Sequence, residues 1–169
     1  VVCDLGSGAG VPGLLSASIF TQERWVLVES ELRKAEFLSR AVAQLGFGER
    51  VRVLRGRAEL VCGEAGAETI VSRAVGSVER IFGWLRQCST WNSLILLKGP
   101  RWKEEWDSFS LGRYKKELNM EFLHEYSVGG GISRVIIHLS RVPRGTRRHR
   151  TNAPWPDSHT EHRCGTVRG

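Results

Sequence analysis

The sequence contains no long apolar run. Stretches such as Leu94-Ile95-Leu96-Leu97 stop at a polar or charged residue, far short of the roughly 18 residues a helix needs to cross a bilayer. Its four cysteines, Cys3, Cys62, Cys88 and Cys164, include no Cys-x-x-Cys pair and form no dense framework, which favours reduced thiols in a cytoplasm. No basic segment followed by an apolar one opens the chain, so nothing signals export and a cytoplasmic location is expected. No internal repeat is visible. His159, His162 and Cys164 have no second ligand cluster, and no metal site is expected from three groups near the chain end. Acidic residues are also in deficit, 18 against 25 Lys and Arg, and the net charge of +7 points to polyanionic partners.

What is present suits a globular domain. The 169 residues are 41% hydrophobic and 25% charged, as expected for one domain, or one domain and a tail. The charge is unevenly placed. From Arg141 to Gly169 there are seven Arg against Asp157 and Glu161, so +5 of the +7 lies there. Residues 1–140 are expected to form the domain and 141–169 a basic tail too poor in apolar groups to fold alone.

Strand-like and helical patterns alternate along the domain. Val1 to Leu5, Trp25 to Glu29, Val51 to Leu54, Thr69 to Ser72 and Ser93 to Leu97 are predicted strands. Helices are predicted over Pro12 to Phe20, Glu31 to Leu45, Val78 to Leu85 and Trp102 to Leu111. Two further strands, Phe122 to Val128 and Ser133 to Leu139, flank Gly129-Gly130-Gly131, a hairpin turn. Repeated strand-helix units with a closing hairpin imply an α/β fold with a mostly parallel sheet and an antiparallel C-terminal hairpin. The chain opens inside its first strand, and a helical segment that would cover the sheet is expected to be missing before it.

The chemically informative stretch is Asp4-Leu5-Gly6-Ser7-Gly8-Ala9-Gly10-Val11-Pro12-Gly13. Glycines let backbone approach a ligand, and proline suits the first turn of a helix. Gly8, Gly10 and Gly13 alone satisfy the dinucleotide fingerprint G-x-G-x-x-G, which keeps a nicotinamide or flavin oxidoreductase open as an alternative. Two features favour S-adenosylmethionine instead: the spacing of Gly6, Gly8 and Gly10, and the acid Asp4 before them. A carboxylate sits badly beside a pyrophosphate but attracts the ammonium of a methionine moiety. Glu29 follows Gly6 by 23 positions, where an acid commonly binds ribose hydroxyls. Gly56-Arg57-Ala58-Glu59 could meet an adenine edge or simply cap a helix, and spacing does not separate the two.

Together with Glu29-Ser30, Lys34-Ala35, Phe37-Leu38, Ser72-Arg73-Ala74 and Leu97-Lys98-Gly99, these blocks resemble in order and spacing the bacterial 16S rRNA guanine-N(7) methyltransferase family RsmG (GidB). The resemblance covers about residues 1 to 140. It implies a class I SAM-dependent methyltransferase (Rossmann-like) fold and methylation of one guanine in 16S rRNA of the small ribosomal subunit. Carried over by position, it places Gly6 and Val11 on the methionine and ribose side and Glu29 on the ribose. It puts Ala58 and Glu59 at the adenine, and Arg73 where cofactor meets substrate.

Guanine N(7) carries no proton at neutral pH, so its methylation needs alignment rather than a general base. No catalytic residue is therefore assigned beyond Arg73 as a positioning group, which could orient the cofactor carboxylate, bind an RNA phosphate or guanine edge, or form a structural ion pair. Lys98 and Arg101 are candidate RNA contacts within a basic cluster that also holds Trp102 and Trp106. Those indoles could stack on bases, although aromatic pairs at helical spacing more often pack on a sheet. Arg144, Arg147, Arg148 and Arg150 could meet phosphates. The expected partner is 16S rRNA or the small subunit, with no membrane and no stable protein partner, in a monomer. A non-catalytic RNA-binding remnant is the further alternative.

Overall fold

The computed structural model describes residues 1–142. Seven strands form one sheet: β1 Val2–Leu5, β2 Trp25–Glu29, β3 Val51–Arg55, β4 Thr69–Arg73, β5 Ser93–Lys98, β6 Leu118–Val128 and β7 Ile132–Arg141. Five helices connect the first six strands: α1 Gly13–Ile19, α2 Leu32–Gln44, α3 Ala58–Ala65, α4 Val78–Leu85 and α5 Trp102–Leu111, the last followed by a 3₁₀ turn at Lys115–Glu117. The spatial order is β3-β2-β1-β4-β5-β7-β6, with β1 to β5 parallel and β7 antiparallel to both neighbours. This is the expected α/β sheet with its antiparallel hairpin. The chain moves outward from β1 to β3, then crosses back to β4, so the topology reverses between β1 and β4. In open α/β sheets ligands bind outside the carboxyl ends of the strands at that reversal.

Two apolar layers hold the sheet. β2 is buried at all five positions, as a central parallel strand covered on both faces must be. On one face Ala17, Leu38 and Val42 of α1 and α2 pack on Trp25, Leu27 and Val51. On the other, α3, α4 and α5 close over Leu94, Leu96, Val135 and Ile137. There Phe82 meets Trp91, Phe109 and Tyr114 edge to face, and the Trp91 indole N–H donates to Leu85 O at 2.9 Å. Trp102 is buried in this core and Trp106 packs against it, 5.5 Å from the Phe109 ring. Base stacking on that indole pair is therefore ruled out for Trp102, because its ring is already enclosed.

The hairpin turns at Gly129 to Gly131, where the Gly131 N–H donates to Val128 O at 3.1 Å. Its strands run longer than the apolar pattern suggests, because backbone pairing continues through Leu118 to Met120 opposite Leu139 to Arg141, beyond an irregularity between Met120 and Phe122. The helix α3 was not anticipated by periodicity. It is eight residues long, contains Gly63 and buries only Cys62 and Ala65, which leaves little apolar stripe to detect. Cys3, Cys62 and Cys88 are free and buried. Among the described residues no helix is long and apolar enough to cross a membrane, and no cluster of His, Cys, Asp and Glu could hold a metal ion. Arg144, Arg147, Arg148, Arg150, His159, His162 and Cys164 lie outside the described residues.

Candidate active site

The loop from β1 to α1 is organised from below by acids. Gly6, Gly8 and Gly10 all take left-handed φ, 75°, 56° and 90°, a region that side chains with a Cβ enter at a cost. The amides of Gly6 and Ser7 donate to Val28 O at 2.9 and 3.0 Å, and that of Gly10 to Ser7 O at 2.7 Å. Glu29, at the end of β2, accepts from the Gly8 amide through Oε2 and from the Glu31 amide through Oε1, both at 2.9 Å. Each carboxylate oxygen has further acceptor capacity, so Glu29 can shape the loop and still receive hydroxyl donors.

Asp4 is fully buried, and its Oδ2 accepts from the Gly13 amide at 2.9 Å, so a carboxylate sits at the N-terminus of α1. Its Oδ1 is buried without a hydrogen-bond partner. Burial pushes the Asp4 carboxyl up to about 6, with the Gly13 hydrogen bond acting the other way. A Cβ at Gly13 would lie 2.5 Å from Asp4 Cβ and Oδ2 and 2.6 Å from Leu27 Cδ2, so only glycine lets the helix sit on the acid and on β2.

This arrangement separates the two cofactor classes. A pyrophosphate needs free amides and positive potential at the helix N-terminus. Here that position is occupied by a carboxylate, and the Leu14 and Leu15 amides both donate to Gly10 O. The site is ill suited to a dinucleotide. It fits S-adenosylmethionine better: an orphaned carboxylate oxygen and an acid beneath the loop suit a cationic amino-acid moiety.

The positions singled out from sequence lie along the carboxyl edge of the sheet. Ala58 and Glu59 open α3 beyond β3; Glu29 ends β2; Gly6 to Val11 follow β1; and Arg73 ends β4. Ala58 is half-buried against the main core and Glu59 is exposed. Arg73 is exposed, and its Nε donates to Val11 O at 3.1 Å. Its contact is therefore with the glycine loop, and among the described residues no ion pair involves it. After it, Ala74 takes φ 57°, and Val75 packs where a Cβ on Gly6 would go.

On the other side of Arg73 a cavity of about 710 Å³ opens between the ends of β4 and β5 and the hairpin. Arg73, Arg101, Glu105, Tyr126 and Arg134 line it, as does Lys98, whereas the glycine loop and Glu29 do not. Arg73 thus touches both the glycine loop and the cavity. Lys98 is buried and donates to Glu105 Oε2 at 2.8 Å and to Gly76 O, so its ammonium is held by protein acceptors. Arg101 is exposed at the start of α5. Tyr126 and Arg134 were not singled out from sequence, yet they face each other across β6 and β7. Folding the two strand-like runs about Gly130 would have paired them.

A family model described as rRNA small subunit methyltransferase G matches residues 1–129. The ribosomal RNA small subunit methyltransferase G of a Nocardioides species is 41% identical over 105 residues, covering 62% of this chain and 42% of that protein. The Streptomyces avermitilis protein of the same name is 37% identical over 147 residues, covering 85% of this chain and 60% of its own length. The chain thus spans less than two thirds of either relative. Among solved structures, Streptococcus pneumoniae Sp1610, a putative tRNA (m1A22) methyltransferase, aligns with a TM-score of 0.67 at 15% identity over 83% of this chain and 63% of its own. M. capricolum TrmK in complex with S-adenosyl-homocysteine aligns with a TM-score of 0.66 at 8% identity, over 83% of this chain and 61% of its own. At such identities the likeness concerns the fold, which is the Rossmann-like α/β fold of these methyltransferases.

Proposed function

The chain belongs to the rRNA small subunit methyltransferase G family, and from that premise we propose that it transfers a methyl group from S-adenosylmethionine to N(7) of a guanine in 16S rRNA. The observation that carries the cofactor assignment is the Asp4 carboxylate on the Gly13 amide, which fills with negative charge the position a dinucleotide would need positive. S-adenosylmethionine would supply an electrophilic methyl group. In this reading Ala58 and Glu59 flank the adenine, Glu29 receives the ribose hydroxyls, and Gly6, Gly8, Gly10 and Val11 line the methionine moiety beside Asp4. Their order along the sheet edge follows the order of those chemical parts.

Arg73 then stands where the methionine end meets the cavity, holding the loop through Val11 O. The cavity favours a nucleophile that needs no deprotonation. Glu105 is its one carboxylate among the described lining residues and is held by Lys98. With Arg73, Arg101 and Arg134 around it, the cavity suits phosphates and the acceptor edge of guanine. Catalysis rests on holding the base in line with the methyl group, an effect worth several kcal/mol.

Incubating this chain with labelled S-adenosylmethionine and small ribosomal subunits lacking the modification, then mapping the labelled nucleotide, tests the reading. Label at N(7) of one guanine is expected. Binding of S-adenosyl-homocysteine without transfer would leave an RNA-binding remnant, and tight binding of NADH instead would favour the oxidoreductase.

A further inference from the structure

The edge strand β6 carries three rings in register. Phe122, His124 and Tyr126 alternate along it and so project from one face of the sheet. The Phe122 and His124 rings lie 6.2 Å apart with planes 15° from parallel, and His124 and Tyr126 lie 6.1 Å apart at 13°. Phe122 is 54% exposed and His124 is exposed, while Tyr126 is half-buried. The core uses the opposite face of this hairpin, where Leu123, Val135, Ile137 and Leu139 pack under α4 and α5. The three rings therefore lie outside that core, with Phe122 and His124 left exposed.

Its direction gives it a use. β6 runs parallel to β5, so the ladder climbs toward the carboxyl edge of the sheet, and its last ring, Tyr126, is itself a wall of the 710 Å³ cavity. Beside Tyr126 on the neighbouring strand is Arg134, and Arg101 also lines the cavity. Aromatic faces leading to guanidinium groups are the two elements of single-strand recognition: rings take bases, cations take phosphates. A protein partner would need no parallel ring planes, and a lipid surface would need a larger apolar patch than three rings at half exposure.

We propose that Phe122, His124 and Tyr126 form a stacking track on which successive bases of single-stranded RNA lie, delivering the target nucleotide to the cavity at Tyr126. The inference rests on the methyltransferase reading for the identity of the strand. It adds to that reading the path and the side of approach.

The test compares binding of this chain to an end-labelled single-stranded RNA of about ten nucleotides with binding to the same strand carrying abasic sites, at one salt concentration. The unmodified chain is expected to prefer the intact strand by about tenfold, as loss of stacking predicts. Phe122→Ala combined with His124→Ala should abolish that preference, and His124→Phe should retain it. Calorimetric binding of S-adenosyl-homocysteine should be unchanged in every variant, which also establishes that each is folded. Equal loss on intact and abasic RNA, no loss at all, or no RNA binding by the unmodified chain would overturn the track. So would a dimer of this chain, seen by sedimentation, that the double substitution abolishes. Failure of the unmodified chain to bind S-adenosyl-homocysteine, with base preference intact, would instead overturn the methyltransferase reading and leave the track.

Discussion

Asp4 shows at the scale of one residue how a binding loop can be held against stability. Its carboxyl is buried under the glycine loop, has one oxygen on the Gly13 amide and leaves the other unpaired. Burial raises it from 3.8 to about 6. Between those pH values the folded protein binds more protons than the unfolded chain, so this residue lowers stability as pH rises through that window, and the loss is constant above it. A shift of this size corresponds to about 3 kcal/mol. Asp4→Asn keeps an acceptor for Gly13 but cannot ionise. Measured by urea unfolding, its stability relative to the unmodified chain is expected to increase between pH 4 and pH 7 and then level off. A difference independent of pH would show that Asp4 titrates alike in the folded and unfolded chain, and one that keeps growing above pH 7 that it does not ionise in the folded protein. The same substitution should weaken S-adenosyl-homocysteine binding at pH 7, because the negative charge proposed to attract the ammonium is lost. Asp4 was legible in the sequence as an acid beside glycines; its complete burial and its hold on α1 were not, since both depend on how closely Gly13 lets the helix approach.

At the scale of elements, legibility followed the strength of the local pattern. β2 was readable to the residue because five consecutive apolar or terminal acidic positions are bounded by polar ones. Likewise α4 was readable because Ile81, Phe82 and Leu85 mark one face. The start of α4 is also set locally: the Ser77 hydroxyl accepts from the Arg80 amide at 3.3 Å, one of the amides a helix start leaves without a partner. Ser77→Ala is expected to cost about 1 kcal/mol, read from thermal or urea unfolding. Because Ser77 also lines the cavity, a larger loss of RNA affinity than of stability would mean that its hydroxyl meets the substrate. By contrast α3 was hidden, since small buried residues and an internal glycine give no apolar stripe, and the outer part of β6 was hidden because the irregularity between Met120 and Phe122 breaks the two-residue period, putting Leu118 and Met120 out of phase with Leu123. Those segments are held by neighbours they meet only in three dimensions.

For the whole molecule, charge is divided between two places with different roles. The described body carries arginines gathered at the cavity, Arg73, Arg101 and Arg134, while most of the net charge of +7 lies in the C-terminal residues. Under the proposed function both would meet phosphates, and salt dependence separates them. Residues 143–169 hold six Arg against Asp157 and Glu161, a net +4. Their deletion should reduce the slope of log affinity against log salt for single-stranded RNA by about three units, at about 0.7 per phosphate. An unchanged slope would place the electrostatic contact in the body alone. The stacking track predicts that the preference for intact over abasic RNA survives this deletion.

The sequence by itself determined the strand-helix alternation, the glycine loop, the acids beside it and the family, because each is a pattern of neighbours along the chain. Periodicity and turn chemistry act within a few residues, so they are written locally. The tertiary structure alone decided what those residues do to one another. It put the Asp4 carboxylate on the helix amide, enclosed Trp102, and tied Lys98 to Glu105. It also aligned Ala58, Glu29, the glycine loop and Arg73 along one sheet edge, although up to 67 positions separate them in sequence. The cavity and the ladder of Phe122, His124 and Tyr126 depend on strand order and register. Those are set by which apolar faces can be buried together, a property of the folded sheet that no short segment contains.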